Sequence, residues 1–345
     1  MDPTAPAATT TLPATARRHE ASRGLAAVDP ATPLDAKSRL RLLRQYVQAY
    51  WLRPENAFWM CLRSLTLGRC AIRSPSCDMA CGDGVFSFLH AGGEFDQRFD
   101  VFGAVGHLDR VTDEHADMFD AGGARYAPRI TRPAACRIDV GADLKPELLQ
   151  KAATLGFYQR LVEHDCNRPL PFPDQAFATV YCNSAYWIRA VDRLLRELRR
   201  ITRPDGTVIL HVKLAALQDY TLRAFRRQLG DRFLELIDRG RRGCWPTIGT
   251  RSQWEQRFKQ AGLTIADATP FVTRTHAHIW DVGLRPFAPL LVRMANALTP
   301  ELRVEIKHDW VALLLELLEP LCRPDFDLFA EASEPAEIQY VLRPG

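Results

Sequence analysis

The chain has little lysine and no long apolar run, and both absences narrow what it can do. Only six of its 45 basic residues are lysine, and the formal net charge is +4. Because no lysine-rich patch or recognition module is evident, binding to nucleic acid is not expected. No uninterrupted apolar run reaches the length of about 18 residues that a membrane span needs, so no transmembrane helix is predicted.

The nine cysteines lack the spacing of a metal site. No pair of C-x₂-C motifs occurs, and Cys77 and Cys81 are followed by no third cysteine at iron–sulfur spacing. Small buried thiols in a reducing compartment explain these residues better. We therefore expect no metal and a cytoplasmic location.

The first part of the chain differs from the rest. Residues 1–35 are rich in Ala, Thr and Pro without periodicity, which predicts a disordered tail. They lack the apolar segment of a secretory signal, but Arg17, Arg18 and Arg23 in a Thr/Ser-rich stretch leave a transit peptide open. Helical periodicity starts near Lys37. Residues 36–345 are predicted to form one domain that begins with a helical extension.

The most informative stretch is Cys77–Gly84, in which Asp78 is followed by small residues at positions 80, 82 and 84. Glycines at such positions let the backbone turn tightly after a strand and approach a ligand. A dinucleotide fingerprint needs a third glycine, where this chain has Ser87, and an acid after the glycines. Here the acid precedes the glycines, which argues against a dinucleotide such as NAD.

Further acids follow predicted strands at regular intervals. Cys136–Asp143 alternates like a short strand and ends in a carboxylate, and a helix with Pro146 in its first turn follows. An acid at the end of the second strand of a doubly wound sheet accepts hydrogen bonds from ribose hydroxyls. Asp143, Asp165 and the strand end at Asn183 are 22 and 18 residues apart, about one strand–helix repeat each. Strands that alternate with helices predict a parallel sheet.

Together these segments resemble class I S-adenosylmethionine-dependent methyltransferases over roughly 200 residues. Asp78–Gly84 is similar to their first motif, Leu161–Phe177 to their "Asp…Leu-Pro-Phe…Phe" segment, and Arg200–Leu210 to the turn before their fifth strand. The resemblance implies an α/β fold with a doubly wound, mostly parallel seven-stranded sheet of the Rossmann-like type. It also implies S-adenosylmethionine as the cofactor.

The resemblance further implies which residues bind this cofactor. Gly82 and Gly84 would approach its methionine end, and Asp78 would fix the loop. Asp143 would bind the ribose, and residues 165 and 166 would lie beside the adenine. Alanine replaces the first glycine of the motif, which is tolerable if its φ is negative. The predicted cofactor-binding residues are Asp78, Ala80, Gly82, Gly84, Asp143, Leu144, Asp165, Cys166 and Asn183.

Methyl transfer needs an aligned acceptor and a dry site, and it needs a base only when the acceptor must lose a proton. After the fourth predicted strand, Asn183 and Tyr186 have the spacing of an amino-methylating motif whose two prolines are absent here. An aromatic pocket wall at Tyr186 and Trp187 is the alternative. Tyr186 is thus one weak catalytic candidate.

Three histidines are the other weak catalytic candidates. His211 is expected at the end of the fifth strand, where ordinary packing is the alternative to catalysis. His276 and His278 are expected on one face of an extended segment, because side chains two residues apart share a face there. No third ligand accompanies them, so a metal site is not predicted.

Two insertions depart from the minimal fold. The first two acids of the pattern are 65 residues apart, so residues 92–134 are predicted to be inserted. Between the sixth-strand pattern, which ends near Phe271, and the final strand at Glu337, about 60 residues are mostly helical in pattern. Their apolar content predicts a helical lid, at about 280–332, over the carboxyl ends of the strands. Within it, Trp310–Leu318 is apolar on nearly all sides, which predicts burial.

A further helix is predicted over Leu222–Ile237, with arginines at positions 223, 226, 227 and 232 beside its apolar residues. A solvated basic flank is the default interpretation of this pattern. A substrate that carries phosphate or carboxylate, or a membrane surface, is the alternative. Peripheral membrane contact and a homodimer therefore stay open.

The sequence predicts a methyltransferase that acts on a small-molecule acceptor, such as a specialised metabolite, a saccharide or a lipid precursor. Two alternatives remain. One is a methyltransferase-like protein that binds without catalysing, which the alanine in the glycine loop and the missing base suggest. The other is an RNA or protein methyltransferase.

Overall fold

The computed structural model describes residues 11–12, 34–105, 118–122, 126–238, 245–281, 287–324, 326 and 333–345. The strands are β1 (Thr11–Leu12), β2 (Ser76–Met79), β3 (Glu94–Phe95), β4 (Ile130–Arg132), β5 (Ile138–Asp143), β6 (Tyr158–Glu163), β7 (Phe177–Cys182), β8 (Thr202–Lys213), β9 (Leu263–Val272) and β10 (Glu337–Pro344). The helices are α1 (Ala36–Ala49), α2 (Pro54–Leu67), α3 (Val85–His90), α4 (Pro146–Thr154), α5 (Val191–Ile201), α6 (Ala216–Asp219), α7 (Arg226–Asp238), α8 (Arg251–Gln260), α9 (Arg274–Asp281), α10 (Ala288–Asn296) and α11 (Pro300–Leu318).

The main sheet has the strand order β1-β6-β5-β2-β7-β8-β10-β9. Strands β6, β5, β2, β7 and β8 are parallel, whereas β10 lies antiparallel between β8 and β9. These strands and β9 form the predicted doubly wound, mostly parallel, seven-stranded sheet, which is confirmed. The short β1 adds an eighth strand beside β6. Residues 1–10 and 13–33 of the predicted tail lie outside the described residues.

The parallel strands end along one side of the sheet, which we call the carboxyl edge. All six residues of β7 are buried, as expected for a parallel sheet covered on both faces. The predicted apolar face of α5 is buried too, at Val191, Leu194, Leu195 and Leu198. In such a sheet ligands bind outside the carboxyl ends of the strands.

Helices α1 and α2 precede the sheet and pack against it. On α1, the Tyr46 hydroxyl donates to the carbonyl of Phe86 in α3 at 3.0 Å. On α2, the Thr66 carbonyl accepts from Gln339 Nε2 of β10 at 3.2 Å. The helical extension predicted from the sequence therefore belongs to the core of the domain.

The predicted insertion 92–134 forms a small unit beside α1. Its strands β3 and β4 pair antiparallel. A cluster of aromatic rings fills it, and Phe119 meets Tyr50 at the end of α1 with 6.0 Å between ring centroids. Residues 106–117 and 123–125 of this predicted insertion lie outside the described residues.

The late helices only partly follow the predicted lid. Trp280 of α9 packs against Trp59 of α2, with 4.8 Å between ring centroids, beside the carboxyl edge. Helix α11 instead runs along α1 and the insertion, where Trp310 Nε1 donates to the carbonyl of Trp51 at 2.9 Å. The prediction that α11 is buried all round is wrong, because Leu313 and Leu317 on its outer face are exposed. Residues 282–286, 325 and 327–332 of the predicted lid lie outside the described residues.

No helix among the described residues is long and apolar enough to cross a membrane. The eight cysteines in this part of the chain are free, and six of them are buried. This agrees with their interpretation as small core thiols.

Candidate functional site

The loop after β2 is built from left-handed residues. Ala80, Gly82 and Gly84 have φ values of 56°, 59° and 74°. The condition under which alanine would be tolerable at position 80, a negative φ, is therefore not met. A left-handed conformation costs an L-residue about 1–2 kcal/mol, so the loop holds Ala80 under strain.

The two glycines of the loop serve different purposes. A Cβ added at Gly82 would meet no described atom within 4 Å, so this position opens on free space where a ligand can approach. A Cβ added at Gly84 would lie 2.8 Å from Cε2 of Tyr158. Packing against β6 therefore requires a glycine at position 84 in its own right, and the approach of Gly84 to the cofactor stays a prediction.

Asp143 ends β5, the strand beside β2. Its Oδ2 accepts from the Gly82 N–H at 2.9 Å, and its Oδ1 accepts from the Lys145 N–H at 3.0 Å. Burial raises the pKa of this carboxyl, and the bonds from Lys145 and Gly82 oppose that effect. A carboxylate has about four lone-pair positions, so part of its accepting capacity is left for a ribose hydroxyl. Asp143 therefore fits the role that the sequence predicts for it.

Asp78 lies behind the loop, where it does not face the free space. Its Oδ2 accepts from the Ser87 hydroxyl at 2.5 Å and from the Tyr158 hydroxyl at 2.7 Å. Burial raises its pKa to about 6, although both hydroxyls lower it. Asp78 thereby ties β2 to α3 and β6, which agrees with a residue that fixes the loop.

The remaining predicted cofactor residues follow strand ends at the carboxyl edge. Leu144 follows β5 and is 58% exposed, so its side chain is available to a bound ring. After β6, the Asp165 carboxylate accepts from the backbone N–H and the Nδ2 of Asn167, and Cys166 is buried. After β7, Asn183 Oδ1 accepts from the Ser184 hydroxyl at 2.7 Å.

The insertion supplies residues beside this loop that the sequence did not identify. Lys145 Nζ donates to Asp120 at 2.7 Å and holds the insertion at the start of α4. The Tyr126 hydroxyl is buried and has no hydrogen-bond partner among the described residues. Burial raises the pKa of Tyr126, and the charge of Asp83 in the glycine loop raises it further. An orphaned donor near the loop suits a cofactor that carries acceptor groups.

On the other side of β2, a buried ion cluster closes the carboxyl edge. Glu337, the first residue of β10, accepts from Lys213 Nζ at 3.0 Å, from Arg63 Nε at 2.8 Å and from Trp59 Nε1 at 2.5 Å. Burial alone would raise the pKa of Glu337, but Arg63 and Lys213 outweigh it and lower it to about 2. Arg63 also donates to the Tyr186 hydroxyl at 3.0 Å.

Aromatic rings surround the lysine of this cluster. Lys213 Nζ lies 3.7 Å from the ring centroid of Trp59, 5.2 Å from that of Tyr186 and 5.6 Å from that of Trp280. Such cation–π contacts strengthen when the cation is desolvated. No local sequence pattern indicates this aromatic box, because its members come from α2, β8, α9 and the segment after β7.

His211 is not a catalytic base. It lies two residues before the end of β8 and is completely buried, and burial followed by the charge of Arg63 lowers its pKa to about 3. Its Nε2 is 2.8 Å from Oε1 of Gln339, whose Nε2 donates to a carbonyl. His211 therefore donates through Nε2 and accepts the Tyr181 hydroxyl at Nδ1, at 3.2 Å.

The other three catalytic candidates are not supported as bases either. His276 and His278 lie on helix α9 instead of an extended segment, so they do not share a face. His276 is held on both sides, at Nδ1 by the Thr273 N–H and at Nε2 by the Leu321 carbonyl at 2.9 Å. His278 accepts a hydrogen bond from Arg274 at 3.3 Å. For Tyr186, burial raises the pKa of the hydroxyl.

The comparisons with known proteins agree with this geometry. Residues 120–210 match a family model described as a methyltransferase domain. The matched segment is similar to a methyltransferase domain, and the strand order is that of the class I, Rossmann-like methyltransferase fold. The cofactor of the chain is S-adenosylmethionine. No curated protein matches the chain.

Several solved structures are similar to the chain at low identity. An S-adenosylmethionine-dependent methyltransferase of Thermotoga maritima is 8% identical, with 89% of this chain and 100% of that chain covered and a TM-score of 0.43. One of Mesorhizobium loti is 15% identical, with 78% and 89% covered and a TM-score of 0.38. A Haemonchus contortus phosphoethanolamine N-methyltransferase in complex with S-adenosyl-L-methionine is 10% identical, with 78% and 48% covered and a TM-score of 0.39. These TM-scores are below 0.5, so nothing further is inferred from these structures.

Proposed function

We propose that this methyltransferase transfers the methyl group to a small-molecule acceptor bound between the ends of β7 and β8. The observation that supports this proposal most is that the glycine loop lies between two groups of residues at the carboxyl edge. Asp143 and Leu144 lie on the β5 side of the loop, and Tyr186 and Trp187 lie on the β7 side. A cofactor whose ribose is bound by Asp143 would therefore direct its other end past Gly82 towards the two aromatic residues.

The aromatic residues suit a small acceptor that has a flat or apolar surface. Trp187 is 49% exposed and lies beside Tyr186, with 6.4 Å between ring centroids. An exposed indole can stack on a ring or on the face of a sugar. This supports a specialised metabolite, a saccharide or a lipid precursor, the classes that the sequence suggested.

The chemistry of such a site depends on alignment. Bound S-adenosylmethionine supplies an electrophilic methyl group whose leaving group is a neutral thioether. The protein then has to hold the acceptor within about 3–3.5 Å and in line, with water excluded. A site without a protein base requires an acceptor that is nucleophilic by itself, such as a neutral amine or an acidic hydroxyl.

The test is methyl transfer from radiolabelled cofactor into a cell extract that is then separated by size. After the unreacted cofactor has been removed by chromatography, label should remain in the fraction that passes a dialysis membrane. Trp187→Ala should reduce this incorporation while titration calorimetry shows unchanged cofactor affinity. Phe287→Ala, at an exposed aromatic residue that precedes α10, is the matched control and should leave incorporation unchanged. Label in the protein or RNA fraction, or full activity of Trp187→Ala, would contradict the proposal.

A further inference from the structure

A basic, partly aromatic surface follows the acceptor side of the sheet. We call residues 222–235 the arginine segment; it consists of a 3₁₀ turn, Leu222–Phe225, and the first part of α7. It carries four arginines and two acids: Arg223, Arg226, Arg227, Arg232, Asp231 and Glu235. Its formal charge is therefore +4 − 2 = +2 over 14 residues.

The arginines of this segment are only partly neutralised by ion pairs, unlike some other arginines on the surface. On α5 and α8, Arg200 pairs with Glu197 at 2.7 Å and Arg257 with Asp192 at 2.9 Å. In the arginine segment Arg226 pairs with Asp231 at 2.6 Å. Arg227 and Arg232 are exposed and have no ion-pair partner among the described residues. A local excess of positive charge attracts an anionic partner.

The segment also exposes two large apolar rings. Phe225 is 49% exposed and Phe233 is 38% exposed. A solvated basic flank does not need these rings, whereas arginine beside exposed aromatic residues is typical of surfaces that lie at a membrane interface. Arginine in addition binds phosphate through two parallel hydrogen bonds.

The segment is fixed to the acceptor side of the molecule. The N–H of Leu222 donates to Asp281 at the end of α9 at 2.7 Å, and α9 also carries Trp280 of the aromatic box. In the second half of the segment, Leu234 is buried and anchors it to the protein. The arginines and the exposed phenylalanine rings of the segment therefore lie on the side where the acceptor is proposed to bind.

From these observations we propose that the arginine segment binds an anionic membrane surface. The arginines would contact the phosphates, and Phe225 and Phe233 would enter the boundary between headgroups and acyl chains. The bound protein would then hold its acceptor side towards the lipid. This binding goes beyond methyl transfer and does not depend on the proposed acceptor, so either proposal can fail alone.

The experiment is flotation of the full-length protein with vesicles of phosphatidylcholine, with and without phosphatidylglycerol. Binding should need the anionic lipid and should weaken as salt rises, because salt screens charge. Each arginine near such a surface contributes about fivefold in affinity, so Arg227→Gln/Arg232→Gln should bind about 25-fold more weakly. Phe225→Ser/Phe233→Ser should also bind more weakly, without losing the salt dependence.

The matched control is Phe287→Ser/Arg293→Gln, which removes an exposed ring and an exposed arginine elsewhere on the surface. It should bind like the parent protein, and circular dichroism should show that every variant is folded. Equal binding to neutral vesicles, no binding at all, or an equal loss in the control would overturn the proposal. Binding to single-stranded RNA without binding to vesicles would overturn it as well and would make nucleic acid the partner.

Discussion

The two halves of the carboxyl edge are built in different ways. The cofactor half, formed by β2, β5 and β6, is a left-handed backbone loop beside one carboxylate, Asp143, which keeps free lone pairs. The acceptor half, formed by β7, β8, β10, α2 and α9, is closed by Glu337 and its buried cationic partners. In the cofactor half, a carboxylate remains available to bind a ligand. In the acceptor half, the charged groups bond to one another. Loss of Asp143 should therefore affect binding, and loss of Glu337 should affect stability.

The largest effect is expected at the centre of the acceptor half. Glu337→Ala leaves Lys213 and Arg63 buried without their counter-charge, which typically costs about 3–5 kcal/mol. Chemical denaturation should show this loss in the free energy of unfolding. Glu305→Ala on the exposed face of α11 is the control and should change stability by less than about 0.5 kcal/mol. A loss below about 1 kcal/mol for Glu337→Ala would mean that the ion cluster contributes little to the stability of the acceptor half.

The stability of the fold should also depend on pH through Glu337. The pKa of Glu337 is lowered from 4.5 to about 2 in the folded protein. Because the folded pKa is depressed, its contribution is fully present above pH 4.5 and is lost as the pH falls towards 2. The contribution is on the order of 3 kcal/mol. Urea titrations over this pH range should show the loss, and Glu337→Gln should remove this part of the pH dependence.

In the cofactor half, Asp143→Ala should weaken binding of S-adenosylmethionine. Hydrogen bonds to a charged acceptor contribute about 1.5–3 kcal/mol, which corresponds to about 10- to 150-fold in affinity. Titration calorimetry measures this change. Asp205→Ala, at an exposed carboxylate in the turn region of β8, is the control and should bind normally. Unchanged affinity in Asp143→Ala would remove the residue from the site.

A smaller effect is expected at Tyr126, where the insertion meets the cofactor half. If its orphaned hydroxyl donates to the cofactor, Tyr126→Phe should lose about 0.5–1.5 kcal/mol of binding, or about two- to twelvefold. The stability of the free protein should not fall, because the hydroxyl has no partner among the described residues. If the variant loses stability and keeps its affinity, the hydroxyl has a structural role instead.

The smallest effect is expected at Ala80. Replacement by glycine relieves about 1–2 kcal/mol of left-handed strain but adds about 0.5–1 kcal/mol of chain entropy, so a gain near 0.5 kcal/mol is expected. Thermal unfolding should show a small rise in Tm, with unchanged cofactor affinity. A lower Tm would show that the loop depends on the methyl group of alanine.

The cofactor half could be predicted from the sequence, because each of its features is local. The glycine loop, the acid that ends β5 and the proline in the first turn of α4 lie within short segments, and the predicted seven-stranded sheet is confirmed. Local patterns could not show that Gly84 packs against Tyr158, because that contact crosses to another strand.

The acceptor half was mostly missed for the same physical reason. Periodicity indicated strands at β8 and β10, but it could not show that Lys213 and Glu337 would meet. His211 was an attractive candidate because it is near a strand end, and only the packing of β10 shows that it is buried. The arginine segment was predicted as one helix, whereas Gly230 interrupts it with a φ of 77°.

The position of β10 between β8 and β9 has a consequence for the order of folding. Glu337 contacts Trp59 and Arg63 across 278 and 274 residues of chain, and such distant contacts are slow to form. During synthesis, β8 and β9 emerge before β10, the strand that separates them. The face of α2 that carries Trp59 and Arg63 therefore lacks its contacts to β10 until the end of the chain is made. A growing chain would therefore complete its cofactor half well before its acceptor half. In that interval, Arg63 and Lys213 would lack the counter-charge that Glu337 supplies.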